Sequence, residues 1–113
     1  MNIQIFGSKK SNDSKKAERW FKERRIKYQM IDMKEKGMSR GELTSVMQAV
    51  GGLDALLDPN TKDKDTLALL NYLTEDAKLE KVLENPQLLR TPVVRNGKKA
   101  TVGYAPEVWE SWE

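Results

Sequence analysis

Residues 3–32 read IQIFGSKKSNDSKKAERWFKERRIKYQMID, and their pattern predicts how the fold begins. The opening apolar run stops at Gly7-Ser8, which predicts a buried strand followed by a loop. The next segment is rich in helix-capping side chains and precedes apolar residues at helical spacing, so we expect a helix from about residue 12 to 25. Residues 28–31 resemble a second strand. This order predicts a right-handed parallel βαβ unit.

The middle of the chain has the pattern of several helices. Residues 39–42, SRGE, fit a capping box, and apolar residues follow at i, i+3, i+4 and i+7 until Gly51-Gly52. Leucines at 67, 70 and 73 predict a third helix. Thr74 is expected to cap a fourth helix, which Asn85-Pro86 ends because the residue before proline avoids helical geometry. We expect a helical insertion over about residues 38–90.

The last part of the chain predicts a hairpin and a short helix. Asn96-Gly97 lies between two β-like runs, which is a strong hairpin signal. Pro106 stands where a first helical position is expected, and an apolar face follows at Val108, Trp109 and Trp112. The predicted fold class is therefore α/β, with a mixed four-stranded sheet in the order β-α-β, helical insertion, β-β-α.

Composition narrows the chemistry that the chain can perform. Its 113 residues predict one domain over residues 1–113. It contains no cysteine and no histidine, which excludes disulfides, thiolate nucleophiles and Ser-His or Cys-His catalytic pairs. No metal site and no cofactor are predicted. No membrane span and no secretory signal are evident, so we expect a cytoplasmic protein.

Positive charge is concentrated in one segment. The whole chain carries +3, from 20 basic and 17 acidic residues. Residues 9–27 contain nine basic and three acidic side chains, which is +6 locally and leaves −3 elsewhere. Such a face can attract an anion, an acidic protein or nucleic acid, although a solvated helix surface is the simpler interpretation. Direct nucleic-acid binding is not predicted, because the aromatic residues of the segment, Trp20 and Phe21, are expected in the core.

Read with these residues, the chain resembles the thioredoxin-fold family that contains the glutaredoxin-linked arsenate reductases and the Spx transcription regulators. The resemblance covers nearly the whole chain. It implies a thioredoxin-like fold in which Pro92 is cis and lies beside the active site. The matching stretches are IQIFG (3–7), SNDSKKA (11–17), SRGEL (39–43), NPQLLRTPVV (85–94) and VGY (102–104).

The resemblance places the family's nucleophilic cysteine at Ser11, and the second cysteine of two-cysteine members at Ser14. A helix N-terminus stabilises a thiolate there. A serine hydroxyl does not ionise appreciably at neutral pH and cannot form a mixed disulfide. The family chemistry is therefore expected to be absent from this chain, and Ser11 is equally well explained as an ordinary N-cap.

The resemblance to arsenate reductases is weaker at the oxyanion site. Where those enzymes place arginines, this chain has Asp58, Thr91 and Ala105. Arg90 and Arg95 lie nearby in the sequence and could substitute for them. Thr91 before the proline is more similar to thioredoxins and glutaredoxins that recognise peptide or glutathione.

Three functions follow as hypotheses. The first is a binding module that holds a small anion or a carboxylate on a candidate ligand site, with an ordinary capped helix as the alternative. The second is an Spx-like regulator that binds the RNA polymerase α subunit, for which Gly52 matches the family's contact glycine. The third is a thiol oxidoreductase or arsenate reductase in a cysteine-bearing form, with glutathione as co-substrate and glutaredoxin or thioredoxin as partner. The candidate ligand site comprises Lys9, Lys10, Ser11, Asn12, Asp13, Ser14, Thr91 and Pro92, with Arg90 and Arg95 nearby.

Overall fold

The computed structural model describes residues 1–112, which form four β-strands, five α-helices and three 3-10 turns. The elements are β1 Ile3–Gly7, α1 Asn12–Glu23, β2 Tyr28–Asp32, α2 Arg40–Val50, α3 Lys64–Leu69, α4 Glu75–Glu84, β3 Val93–Asn96, β4 Lys99–Val102 and α5 Pro106–Glu110. The 3-10 turns are Asp54–Leu56, Leu70–Tyr72 and Pro86–Leu88. Within residues 1–112, no helix is both long enough and apolar enough to cross a membrane.

The four strands form one mixed sheet in the order β2-β1-β3-β4. β1 pairs in parallel with β2, Ile3 opposite Tyr28, and antiparallel with β3, Phe6 opposite Val93. β3 and β4 form the antiparallel hairpin. The predicted βαβ unit and mixed four-stranded sheet are confirmed.

Alternation along the strands gives the sheet two apolar faces. Ile3, Ile5 and Val94 pack against α1 and α5 in a cluster that also holds Trp20 and Trp109. On the other face, buried residues of β1, β2 and β3 pack under the helices that connect β2 to β3: Phe6, Ile31 and Val93, with Leu43, Val46, Leu56, Val82 and Leu88. Because side chains alternate along a strand, each central strand contributes to both clusters.

The predicted ends of α1, α2 and α4 agree with the structure to within two residues. The capping box of α2 is confirmed: Glu42 N–H donates to Ser39 Oγ at 3.1 Å, and Ser39 N–H donates to Glu42 Oε1 at 2.9 Å. Helix α1 ends at Glu23 because Arg25 adopts a left-handed φ of +57° and Ile26 N–H donates to Phe21 O at 3.0 Å. This closing bond matches the Schellman pattern, here without glycine.

The predicted third helix is wrong in its extent. It ends at Leu69 and continues as a 3-10 turn, of which only Leu70 is buried. The helix does not reach Leu73, because Leu73 itself has extended backbone angles (φ −105°, ψ 153°) and leads into Thr74, the extended N-cap of α4.

Two predictions for the C-terminal part are corrected. Asn96 belongs to β3 and pairs with Lys99, so the two turn residues are Gly97 (φ +61°) and Lys98. Pairing of Asn96 with Ile3 holds it in the sheet. Val108 is 42% exposed while Trp109 is fully buried. Neighbouring helical residues point about 100° apart, so both cannot face the core.

Candidate functional site

Ser14 fixes the conformation of the loop from β1 to α1. Its side chain is buried, and its Oγ accepts a hydrogen bond from Ser8 N–H at 3.1 Å. A Cβ atom on Gly7 would lie only 2.7 Å from this Oγ, so the close approach of helix and strand requires glycine. Ser14 therefore has a structural role in pinning the loop, and its hydroxyl faces the protein interior.

Ser11 is the N-cap of α1. Its Oγ accepts from Ser14 N–H at 3.1 Å, and its own N–H donates to Ser8 O at 3.1 Å. The side chain is partly exposed. Asn12 and Asp13 are exposed in the first turn, where the Asp13 carboxylate complements the positive end of the helix. The structure therefore accounts for Ser11 locally as a capping residue.

Thr91 and Pro92 immediately precede β3 and lie beside the β1–α1 loop, because Phe6 near the end of β1 pairs with Val93 at the start of β3. The Thr91-Pro92 peptide bond is cis, Pro92 is buried, and its carbonyl accepts from Gly103 N–H at 2.8 Å. Thr91 belongs to no helix or strand. Within residues 1–112, neither its N–H nor its C=O makes a hydrogen bond to another backbone group. Thr91 is half-buried and thus presents two main-chain hydrogen-bonding groups at the surface.

An open groove of about 490 Å³ brings the loop and Thr91 together. An adjoining hollow of about 460 Å³ shares Ser8 and Lys34 with it and also includes Lys9 and Lys10. The two together form the candidate site, which carries both cationic and anionic side chains. The residues lining the groove are Ser8, Met33, Lys34, Asp58, Pro86, Gln87, Leu89 and Thr91.

Sequence reasoning missed Met33 and Lys34. Met33 N–H donates to Gly7 O at 2.9 Å, which extends the parallel pairing of β1 and β2 by one residue. The available signal was the parallel unit itself, because the carboxyl ends of adjacent parallel strands meet at one edge of the sheet. The residues that follow β2 therefore lie beside those that follow β1.

The two candidate arginines lie in different places. Arg95 pairs with Gln4, three residues before the end of β1, which is about 10 Å from the groove at normal strand rise. Its Nη1 donates to Gln4 Oε1 at 2.7 Å and its Nε to Ser45 Oγ at 3.4 Å. Arg95 therefore braces α2 against the sheet. Arg90 is exposed, with its Nη2 3.7 Å from the position of a Cβ on Gly103, beside the Thr91-Pro92 segment.

Acidic residues of the helical middle have hydrogen-bonded structural positions. Asp63 accepts from Gln87 Nε2 at 2.9 Å and caps α3 through Thr66 N–H at 3.3 Å. Gln87 and then Thr66 lower the pKa of Asp63 by these hydrogen bonds. Asp58 accepts from Asn60 N–H at 2.9 Å. Among the described residues, no group of three or more candidate side chains is placed to hold a metal ion.

Gly52 lies outside the groove, in the turn that follows α2. Its φ is +133°, and its N–H donates to Met47 O at 2.8 Å. No atom lies within 4 Å of the position of a Cβ on Gly52. There is space for a partner to approach this turn closely.

Comparisons with known proteins agree with this architecture. The sequence profile of the ArsC family matches residues 6–112. Global transcriptional regulator Spx 2 of Oceanobacillus iheyensis is 30% identical over 106 residues, covering 92% of this chain and 78% of the relative. Regulatory protein MgsR of Bacillus subtilis is 28% identical over 94 residues, covering 81% and 75% respectively.

The fold is also similar to that of solved structures. Arsenate reductase from Vibrio cholerae superimposes with a TM-score of 0.84 at 24% identity, covering 98% of this chain and 97% of that protein. At 24% sequence identity, this structural similarity supports a shared fold only. Together with the strand order, it identifies the thioredoxin-like architecture that the sequence predicted.

Proposed function

Because this chain belongs to the ArsC family, in which arsenate reductases and Spx regulators share a thioredoxin-like fold, we propose that it is a redox-inactive binding protein of that family. Its ligand is an extended peptide or a glutathione-like molecule held in the groove beside Thr91. The observation that carries the proposal is Ser11, which caps α1 at the position where the family resemblance places the nucleophilic thiol. No cysteine elsewhere in the 113 residues could replace that thiol.

Redox inactivity follows from the chemistry of oxygen and sulfur. Thiol-disulfide exchange begins when a thiolate attacks one sulfur of a disulfide and displaces the other as a thiolate. The Ser11 hydroxyl is not ionised at neutral pH, and it already accepts a hydrogen bond from Ser14 N–H. A mixed disulfide cannot form through an oxygen atom. The protein can therefore hold a ligand without exchanging electrons with it.

Binding of an extended chain is supported by the main chain of Thr91. Its N–H and C=O point to no backbone partner in the described residues, and an added strand can pair with both. Exposed Lys10 and Lys34 border the two hollows, where they would attract a ligand carboxylate. The site thus offers the main-chain groups of Thr91 for hydrogen bonding to a ligand, with lysine side chains at its edge.

The first experiment compares the chain with Ser11→Cys and with Ser111→Cys. Each protein is assayed for turnover of glutathione mixed disulfides and of arsenate. We expect the wild type to be inactive and Ser11→Cys to reduce the mixed disulfide, because position 11 is the N-cap of α1 and is hydrogen-bonded to the groove residue Ser8. Ser111→Cys places an exposed thiol outside the groove and controls for thiols in general. Turnover by the wild type, or equal turnover by both variants, would contradict the proposal.

Ligand binding is measured separately, because it does not require a thiol. S-methylglutathione is titrated into the wild type while amide chemical shifts are followed by NMR. We expect shifts at Ser8, Lys34 and Thr91. Thr91→Pro, which removes the main-chain donor, should abolish the shifts at Ser8 and Lys34, whereas Thr91→Ala, which keeps the donor, should preserve them. If the shifts are unchanged by both substitutions, or are spread evenly over the chain, the ligand does not bind in the groove as proposed.

A regulatory role is the second candidate, favoured by the identity to Spx 2 and by the accessible turn at Gly52. In this function the chain binds the RNA polymerase α subunit. The test is binding of the purified α subunit to the wild type, Gly52→Arg and Gly41→Arg. Loss only in Gly52→Arg would support the role, because Gly41 accepts a side chain without contact and controls for added charge. Circular dichroism checks folding, since φ at Gly52 disfavours other residues.

A further inference from the structure

The exposed face of α1 carries a line of cations. Lys15, Arg19 and Lys22 are spaced i, i+4 and i+7, so they lie on one side of the helix and span about 10 Å along its axis. The buried residues Ser14, Ala17, Trp20 and Phe21 occupy the opposite side. The line therefore runs along the middle of the solvent-facing surface. Within residues 1–112, none of the ion pairs involves these three side chains.

The line ends at a basic hollow of about 460 Å³. Lys22, Arg25 and Lys27 surround the hollow, and the partly buried side chains of Ile26 and Tyr28 form its apolar part. The left-handed backbone at Arg25 turns the chain sharply here. Burial, and then a hydrogen bond to the Glu18 carboxylate, raise the pKa of Tyr28.

From these observations we propose that the basic face of α1, defined as Lys15, Arg19, Lys22, Arg25 and Lys27, binds an acidic helical segment of another protein. Carboxylates at i, i+4 and i+7 of a partner helix would have the same spacing as the first three cations. A partner apolar side chain beyond the carboxylates would cover Ile26 and Tyr28. This surface lies on the outward side of α1 and is separate from the groove beside Thr91.

Features of the same face favour a protein over nucleic acid. Trp20 is 5% exposed with Arg24 over its ring at 4.0 Å, and Phe21 is fully buried, so neither aromatic residue of α1 is available for stacking bases. Glu18 and Glu23 lie among the cations on α1. They would repel phosphates, but they can pair with basic residues of a protein partner. The apolar part of the hollow likewise suits a side chain better than a phosphodiester.

The test uses a synthetic helical peptide with glutamates at i, i+4 and i+7 and a scrambled peptide of the same composition. Binding to the intact protein is followed by fluorescence anisotropy at about 50 mM and about 150 mM salt, because surface pairing weakens as salt rises. We expect the patterned peptide to bind about tenfold more tightly than the scrambled one at low salt, as three aligned surface pairs allow. Equal affinity of the two peptides would overturn the proposal.

Charge-reversal variants locate the site. The triple variant Lys15→Glu, Arg19→Glu, Lys22→Glu should lose the preference for the patterned peptide. The matched triple variant Lys36→Glu, Lys62→Glu, Lys98→Glu changes net charge equally at exposed positions elsewhere and should retain it. Equal losses in both would show that net charge alone attracts the peptide, which overturns the inference. Tighter binding of a DNA duplex than of the patterned peptide to the wild type would overturn it as well.

Discussion

The N-terminal end of α1 determines how a side chain at position 11 behaves chemically. Its oxygen accepts a hydrogen bond from Ser14 N–H at 3.1 Å, and a thiolate there would meet the same amide and the positive end of the α1 dipole. A hydroxyl benefits from this environment as a cap, whereas a thiol would ionise in it. Replacing the one by the other therefore changes reactivity more than structure.

The first prediction concerns the pKa of a thiol at this position. In Ser11→Cys the pKa should fall below the value of about 8.5 for free cysteine, because helix amides stabilise the thiolate. In Ser111→Cys, at the C-terminal end of α5, it should not fall. The rate of alkylation by iodoacetamide as a function of pH measures both. An equal pKa at the two positions would refute the electrostatic account of the site.

The second prediction concerns the buried hydrogen bond from Trp109 Nε1 to Thr101 Oγ1, at 2.8 Å. Thr101→Val leaves the indole N–H without an acceptor and should lower the free energy of unfolding by about 1–3 kcal/mol. Thr101→Ser keeps the acceptor and should cost clearly less. Urea denaturation of the three proteins measures the difference. Equal losses in the two variants would show that the methyl group, and not the hydrogen bond, matters.

Among the elements, β1 and α1 approach each other closely beside the site, at Gly7 and Ser14. Gly7 ends β1 where Ser14 of α1 crosses it, and Ser14 in turn bonds Ser8 N–H. The strand therefore determines how far the helix N-terminus projects toward the groove. A change of one atom at Gly7 should act on the loop as well as on the packing.

The third prediction is that Gly7→Ala lowers the free energy of unfolding by about 1–3 kcal/mol through overpacking. The added Cβ would lie 2.7 Å from Ser14 Oγ and 3.0 Å from Met30 Cε. Gly41→Ala is the matched control, since nothing lies within 4 Å of its Cβ position in α2. That variant should be as stable as the wild type or up to about 1 kcal/mol more stable. A harmless Gly7→Ala would show that the loop can move away from the helix.

At the scale of the whole molecule, the helical middle is hydrogen-bonded to the segment that leads into Thr91 and then into β3. Asp63, at the start of α3, accepts from Gln87, whose segment leads directly into the groove. Thr61 is buried and donates to Gln87 O at 2.9 Å. These bonds join segments more than 20 residues apart in the sequence. They hold one wall of the groove in place.

The fourth prediction concerns acid. Hydrogen bonds from Gln87 and Thr66 lower the pKa of Asp63, so its contribution to stability is complete above the ordinary value of 3.8 and is lost as pH falls through the lowered value. Asp63→Asn keeps a cap but does not titrate, so its unfolding free energy should fall less steeply below pH 3.8 than that of the wild type. Gln87→Ala should also fall less steeply. Urea titrations over this pH range test both, and unchanged slopes would contradict the link.

The sequence by itself determined those features of the structure that depend only on residues close together in the chain. The capping box at Ser39, the stop at Pro86 and the strand-helix-strand order are local, because backbone preferences act over a few residues. The lack of cysteine can likewise be read from the sequence alone, and the proposal that the family's redox step is absent rests on it.

Only the tertiary structure decided which distant residues meet. The parallel register places Met33 and Lys34 beside Ser8 and Thr91, while the antiparallel register removes Arg95 to the Gln4 position. Pairing of Asn96 with Lys99 likewise moved the hairpin turn by one residue. Register is fixed when the apolar residues on both faces of the sheet are buried together, so it depends on contacts between strands that are distant in the sequence.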